Sequence, residues 1–142
     1  MISGSAAYSD IRGVVTFRQT PQGVIVNAEV TGLPVGEGEC GGRFFGFHIH
    51  EGGACTGNES DPFANTQTHY DPQGCTHPFH AGDLPPLLGA SGRALSMCLT
   101  DRFTVSDIVG KTVVIHSGPD DFTTQPAGNS GIKIACGVIR MQ

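Results

Sequence analysis

Apolar and polar residues alternate with a period of two along much of the chain, and this pattern predicts β-strands. Residues 11–18 and 24–30 show it most clearly, and the turn residues Pro21-Gln22-Gly23 between them predict a β-hairpin. Further runs rich in β-branched or aromatic residues, each bounded by glycine, proline or aspartate, predict strands at 43–50, 93–99, 112–116 and 134–139. Only 104–109 has the pattern of a helical turn. We therefore expect an all-β fold, an antiparallel sandwich or Greek-key barrel.

Two segments between the predicted strands are much longer than hairpin loops. They span about 51–86 and 117–132, and loops of this length are usually functional or disordered. The chain of 142 residues fits a single domain, 1–142, and its 21 glycines and 9 prolines agree with a turn-rich β protein. We expect one domain with two long functional loops.

The charge of the chain narrows the classes of partner. Its net charge of −5, with 8 Lys and Arg, argues against binding to nucleic acid or to an anionic membrane. No apolar run has the length of a membrane span, and residues 1–10 lack the pattern of a signal peptide. We expect a cytoplasmic protein or the mature form of an exported one, and the sequence leaves open whether it forms a homodimer.

The candidate chemistry lies in the histidines. His48 and His50 are two residues apart on a predicted strand, so both imidazoles project from one face, while Phe45, Phe47 and Ile49 project into the core. A third histidine, at 116, ends another predicted strand. Three imidazoles with a fourth from a nearby loop would form the nitrogen set that Cu(II) prefers.

The remaining histidines lie in the first long loop, which prolines and glycines prevent from forming a helix. Three imidazoles and one carboxylate are a complete tetrahedral set for a structural zinc ion, and the loop supplies them at His69, His77, His80 and Asp83. Such an ion would order a loop that has little apolar content of its own.

Five motifs in chain order resemble those of the Cu/Zn superoxide dismutase family, and together they cover nearly the whole chain. They are GFHIHE at 46–51, HYDP at 69–72, HAGDLP at 80–85, GKTVVIH at 110–116, and GNSG at 128–131 followed by ACGVI at 135–139. The resemblance implies a Greek-key barrel of eight antiparallel strands. It also implies disproportionation of superoxide anion to dioxygen and hydrogen peroxide by copper redox cycling, with zinc in a structural role.

The resemblance assigns roles to individual residues. It places copper on His48, His50, His69 and His116, and zinc on His69, His77, His80 and Asp83, so that the His69 ring bridges both ions. Reduction of copper would release that ring on the copper side, and the protonated ring would return a proton as peroxide forms. It implies that Asp120 accepts hydrogen bonds from one ligand of each metal, His48 and His77, and that Cys55 and Cys136 form a disulfide.

Three departures from the family pattern bear on function. Only two residues separate His77 from His80, where the family usually has a longer excursion, so this short link restricts how His77 reaches the zinc. Lys133 stands where the family places an arginine that guides superoxide, and it keeps the charge without the planar fork. The contracted segment 122–130 has no charged residue, so we expect weaker long-range steering of the substrate.

Three cysteines lie outside the resemblance. Cys40 could pair with Cys75, leaving Cys98 buried and free, or Cys40 could pair with Cys98.

A rival function also stays open: a copper and zinc buffer or delivery protein with little turnover. Delivery proteins usually hold Cu(I) with exchangeable thiol or thioether groups, and no such cluster accompanies the histidines.

Overall fold

The computed structural model describes all residues from 1 to 142 and consists almost entirely of β-strands. The nine strands are β1 Ile2–Gly4, β2 Arg12–Thr20, β3 Gly23–Thr31, β4 Arg43–Phe45, β5 Phe47–His50, β6 Leu87–Gly89, β7 Ala94–Thr100, β8 Thr112–His116 and β9 Lys133–Val138. Helical structure is limited to a four-residue α-helix, α1 Val105–Ile108, and two 3-10 turns, Ala6–Tyr8 and Ala64–Thr66.

The strands form a curled antiparallel sheet of seven and a second sheet of two. The order in the larger sheet is β5-β8-β9-β1-β2-β3-β7, and β4 pairs with β6 in the smaller one. Because only Gly46 separates β4 from β5, one continuous run belongs to both sheets, and the nine strands amount to eight passes of the chain. A side chain at Gly46 would collide with Ser130, which explains the glycine at this close approach. The expected all-β antiparallel fold is confirmed.

Most of the predicted strands are present with small changes in their bounds. β2 and β3 form the predicted hairpin, in which Thr20 pairs with Gly23 across the two-residue turn. The run 43–50 is interrupted at Gly46, and α1 occupies the predicted turn at 104–109. Two strands were not predicted, β1 and β6. Each has three residues, too few to show an alternating pattern.

The core fixes the strand that carries the first two histidines. Phe45, Phe47 and Ile49 are fully or almost fully buried, as predicted, and they belong to the main hydrophobic cluster. The opposite face of β5 is buried as well, since His48 and His50 are only 0% and 2% exposed beneath the long loops. This strand is therefore held from both sides.

A disulfide between Cys55 and Cys136 ties the first long loop to β9, as the resemblance implied, with a Cα–Cα distance of 5.7 Å. The other cysteines form no disulfide, so neither proposed pairing occurs in the structure: Cys40 and Cys75 are exposed thiols and Cys98 is a half-buried one. None of the helices has the length and apolar character needed to span a membrane.

Candidate metal centre

Seven potential metal ligands come together from two strands and one loop. β5 supplies two of them, the end of β8 supplies one, and the loop from β5 to β6 supplies the rest: His48, His50, His116, His69, His77, His80 and Asp83. Antiparallel pairing of β5 with β8 brings the strand histidines together. Isolated β-bridges from His48 to Asp83 and from His50 to His69 hold the loop against β5.

The first group contains only imidazoles. The ligating nitrogens of His48, His50, His69 and His116 lie within 4.8 Å of one another, and all these residues are buried. Nε2 of His50 is 3.1 Å from Nε2 of His116. Nδ1 of His48 and Nε2 of His69 are buried and have no hydrogen-bond partner. Buried nitrogens without partners are costly unless something else occupies them, which suits a metal ion.

The second group is built around the Asp83 carboxylate. Its oxygens lie 2.8 Å from Nδ1 of His69, 3.1 Å from Nδ1 of His77 and 3.2 Å from Nδ1 of His80. Nδ1 of His80 is 3.3 Å from Nδ1 of His69, and two nitrogens bound to one tetrahedral zinc ion are about 3.3 Å apart. The short link between His77 and His80 thus allows both rings to face the same point.

His69 belongs to both groups: its Nδ1 lies beside the Asp83 carboxylate, and its Nε2 is buried without a hydrogen-bond partner. Ligating atoms of His48, His69, His77 and Asp83 also lie within 4.8 Å of one another, so the two groups are adjacent. One imidazole is therefore positioned to contact two ions.

Asp120 links the two groups by hydrogen bonds to one histidine of each. Its Oδ2 accepts a hydrogen bond from Nε2 of His48 at 2.8 Å, and its Oδ1 accepts one from Nε2 of His77 at 2.7 Å. Burial alone would raise the pKa of the Asp120 carboxyl, but these hydrogen bonds outweigh it and hold the pKa well below its usual range. A carboxylate only accepts, so each ring carries its proton on Nε2 and turns the lone pair of Nδ1 to the metal side.

The other strand histidines are oriented in the same way by main-chain carbonyl groups. Nδ1 of His50 is 2.9 Å from the oxygen of Gln67, and Nδ1 of His116 is 3.4 Å from that of Gly131. Their Nε2 atoms then face the other ligands of the first group. Each of these rings has one nitrogen paired with the protein and one left for a ligand.

The strand imidazoles are neutral at ordinary pH. Burial lowers the pKa of His48 to about 4 and that of His116 to about 3, and it lowers the pKa of His50 well below its ordinary value. Neutral imidazole is the form that binds a metal, so protons compete little for these nitrogens near pH 7. The donor set fits transition-metal ions.

Lys133 lies at the start of β9, paired in register with His116, and borders a cavity of about 820 Å³ that also reaches His50 and His69. Its Nζ is 3.3 Å from a carboxylate oxygen of Asp61 and equally far from the main-chain oxygens of Phe63 and Gln67. Carboxylates outnumber this lysine along the cavity, which is lined by Glu51, Glu59, Asp61 and Asp71. These contacts hold the lysine side chain in place, and the nearby carboxylates partly neutralise its positive charge.

Two residues of the site could not be recognised in the sequence, and a third was recognised only as part of a motif. Besides Asp61, Arg102 donates hydrogen bonds to the main-chain oxygens of Pro78 at 2.8 Å and His80 at 3.2 Å. Gly128 has a φ of +70°, and a side chain there would collide with Asp120 and His77. Gly128 belongs to the GNSG motif at 128–131, but its contacts with Asp120 and His77 could not be predicted from it. No local pattern distinguishes Asp61 or Arg102, since each contacts a partner far along the chain.

The chain is similar in sequence to known proteins. Residues 11–139 match the sequence model of the family described as copper/zinc superoxide dismutase (SODC). The Cu-Zn superoxide dismutase of Legionella pneumophila is 38% identical over 136 residues, which cover 90% of this chain and 77% of that protein. The Cu-Zn superoxide dismutase of Photobacterium leiognathi is 33% identical, covering 90% of this chain and 78% of that protein.

Solved structures show the same fold. The crystal structure of a SOD-like protein from Bacillus subtilis is 27% identical and superposes with a TM-score of 0.76, covering 96% of this chain and 93% of that chain. A point mutant of that protein gives a TM-score of 0.77 at 27% identity over 99% of this chain and 95% of that one.

Proposed function

The chain belongs to the copper/zinc superoxide dismutase family, and we propose that it converts superoxide to dioxygen and hydrogen peroxide. The observation that carries the proposal is that His69 belongs to two adjacent groups of ligands, with Nδ1 beside Asp83 and a buried Nε2 that has no hydrogen-bond partner. Bound copper supplies one-electron redox chemistry and bound zinc a redox-inert charge that orders the loop.

The ligands of copper follow from the nitrogens that the protein leaves free. These are Nδ1 of His48 and Nε2 of His50, His69 and His116, since the second nitrogen of each ring lies beside an oxygen atom of the protein. Four nitrogens suit copper better than zinc or a hard cation.

The ligands of zinc are Nδ1 of His69, His77 and His80 together with the Asp83 carboxylate. His77 belongs to this set, because Asp120 occupies its Nε2 and leaves the buried Nδ1 without a hydrogen-bond partner. These three nitrogens and one oxygen would give zinc a full set of four protein ligands with no position left for substrate, as in structural zinc sites.

Lys133 attracts superoxide into the cavity beside His116 and His50. It is a cation with a compact charge and cannot form the paired hydrogen bonds of an arginine, so it attracts an anion but orients it less. His69 lines the same cavity, and its Nε2 is buried without a hydrogen-bond partner. When it is not a ligand, this nitrogen can hold a proton and return it to the product.

The proposal is tested by loading the purified protein with copper and zinc and measuring superoxide decay by stopped-flow absorbance. We expect catalysis well above that of the metal-free protein. His116→Ala removes one copper nitrogen and leaves the zinc ligands in place, so it should lose copper binding and activity while keeping zinc. Tight binding of both metals without catalysis would contradict the proposal and support a metal buffer or delivery protein instead.

A further inference from the structure

The two residues between His77 and His80 leave the position of His77 dependent on contacts from elsewhere. Its side chain and main chain are buried, with 2% of the residue exposed. Buried main-chain groups need partners, and the proline that follows His77 has no N–H to offer its neighbours. The loop alone therefore does not provide hydrogen-bond partners for the main chain of His77.

The partner of the His77 main chain is the side chain of Gln125, from the loop between β8 and β9. The N–H of His77 donates to Oε1 of Gln125 at 2.8 Å, and Nε2 of Gln125 donates to the His77 carbonyl oxygen at 2.7 Å. One planar amide thus pairs with both main-chain groups of a single residue. Although Gln125 itself is exposed, its amide reaches the buried residue His77.

Gln125 is itself held by its own loop. Its Nε2 also donates to the carbonyl oxygen of Thr123 at 3.1 Å. The Asp121 carboxylate accepts main-chain N–H groups of Thr123 at 2.9 Å and Thr124 at 2.8 Å, which closes the turn that presents Gln125. The amide is therefore pre-positioned rather than freely rotating.

These contacts account for three of the four polar atoms of His77. Gln125 pairs with the main-chain nitrogen and oxygen, and Asp120 accepts from Nε2. The remaining atom, Nδ1, is buried without a hydrogen-bond partner and lies 3.1 Å from Asp83. A residue fixed at three points has little freedom to move its fourth polar atom.

We propose that Gln125 is a positioning residue for zinc binding, which holds the main chain of His77 so that Nδ1 stays at the zinc site. The inference rests on the proposed zinc ligands, and it adds a contact that compensates for the short link between His77 and His80. Glutamine is required because it offers a donor and an acceptor in one plane. Alanine removes both, and glutamate keeps only the acceptor.

The test measures zinc affinity of the disulfide-intact, metal-free protein by competition with a chromophoric chelator. Residues that orient metal ligands typically contribute roughly 10–100-fold in affinity, and we expect a loss of about this size for Gln125→Ala. Gln125→Glu should also weaken zinc binding, because it loses the donor to the His77 carbonyl. Thr123→Ala is the matched control from the same loop, since its hydroxyl makes only one exposed contact with Asp121, at 3.3 Å, and it should bind zinc like the wild type.

Two further readouts separate positioning from general stability. The visible absorption of Co²⁺ at the zinc site should change in Gln125→Ala, whereas copper affinity at the other site should change much less than zinc affinity. Wild-type zinc affinity and an unchanged Co²⁺ spectrum in Gln125→Ala would overturn the proposal, as would equal losses of both metals with a lower unfolding temperature of the metal-free protein. Failure of the wild type to bind zinc would instead overturn the zinc site itself.

Discussion

The disulfide between Cys55 and Cys136 should contribute a large part of the stability of the metal-free protein. It joins residues that are 81 positions apart, so it greatly restricts the unfolded chain. In the chain-entropy description, closing a loop of this length stabilises the folded state by about 4.5 kcal/mol. Cys55→Ala removes the cross-link and leaves the buried Cys136 side chain in place, so no cavity opens in β9.

The folded state should change little in this variant. The start of the loop is also held by main-chain hydrogen bonds, from Glu51 to Thr68 and from Gly52 to Thr66, each 2.8 Å long. With an unfolding entropy of about 0.3 kcal/mol/K for a chain of 142 residues, a loss of about 4.5 kcal/mol corresponds to a fall of roughly 15 °C in melting temperature.

The assay is thermal unfolding of the metal-free protein, followed by circular dichroism at pH 7. Cys40→Ser is the control, since Cys40 is exposed and forms no disulfide, and it should melt with the wild type. A fall of less than about 4 °C in Cys55→Ala, which corresponds to about 1 kcal/mol, would contradict this stabilising role of the disulfide. It would mean that the unfolded chain is compact enough to gain almost no freedom when the cross-link is lost.

Two other predictions concern charge. Lys133→Ala should slow superoxide decay at low ionic strength, and Lys133→Arg should match or exceed the wild-type rate. Asp61→Asn should raise the rate, because it removes the carboxylate that pairs with the lysine charge. Equal stopped-flow rates in all these proteins would contradict a guiding role for Lys133. The metal-free protein should lose stability as pH falls from about 6.5 toward 4, because the folded-state pKa of His48 is lowered from 6.5 to about 4 and that of His116 to about 3. Unfolded histidines bind protons in that range and the folded ones do not, so a melting temperature that stays constant from pH 7 to pH 4 would contradict the burial of neutral rings.

The sequence predicted those parts of the fold that depend on local pattern. An alternating run of seven or more residues predicts a strand and its inward face, which is why the β2–β3 hairpin and the burial of Phe47 and Ile49 were correctly predicted. β1 and β6 were missed because three residues carry no period, and they pair as strands only because neighbouring strands are already in place. Tertiary contact decides such elements.

The site shows the same difference between residues that a local pattern reveals and residues that only distant contacts identify. Each predicted ligand except His77 lies in one of the motifs, and the structure brings all of them together. Gln125 acts on a residue 48 positions away and Asp61 on one 72 positions away, so no spacing in the sequence reveals either contact. The cysteine pairings were open for the same reason, since they depend on where distant loops lie.

The departures from the family pattern differ in their consequences. The shortened link at His77 is compensated by contacts from other segments, because Asp120, Gln125 and Arg102 hold the ring and the main chain of this part of the loop. The replacement at Lys133 has no such compensation, since its nearest side-chain partner is the carboxylate of Asp61 and more carboxylates line the cavity. An anion approaching the proposed copper ligands therefore meets a lysine whose positive charge is already partly neutralised by carboxylates. Divergence of this chain from its family should accordingly appear in the rate at which superoxide is captured, more than in the affinity for zinc or copper.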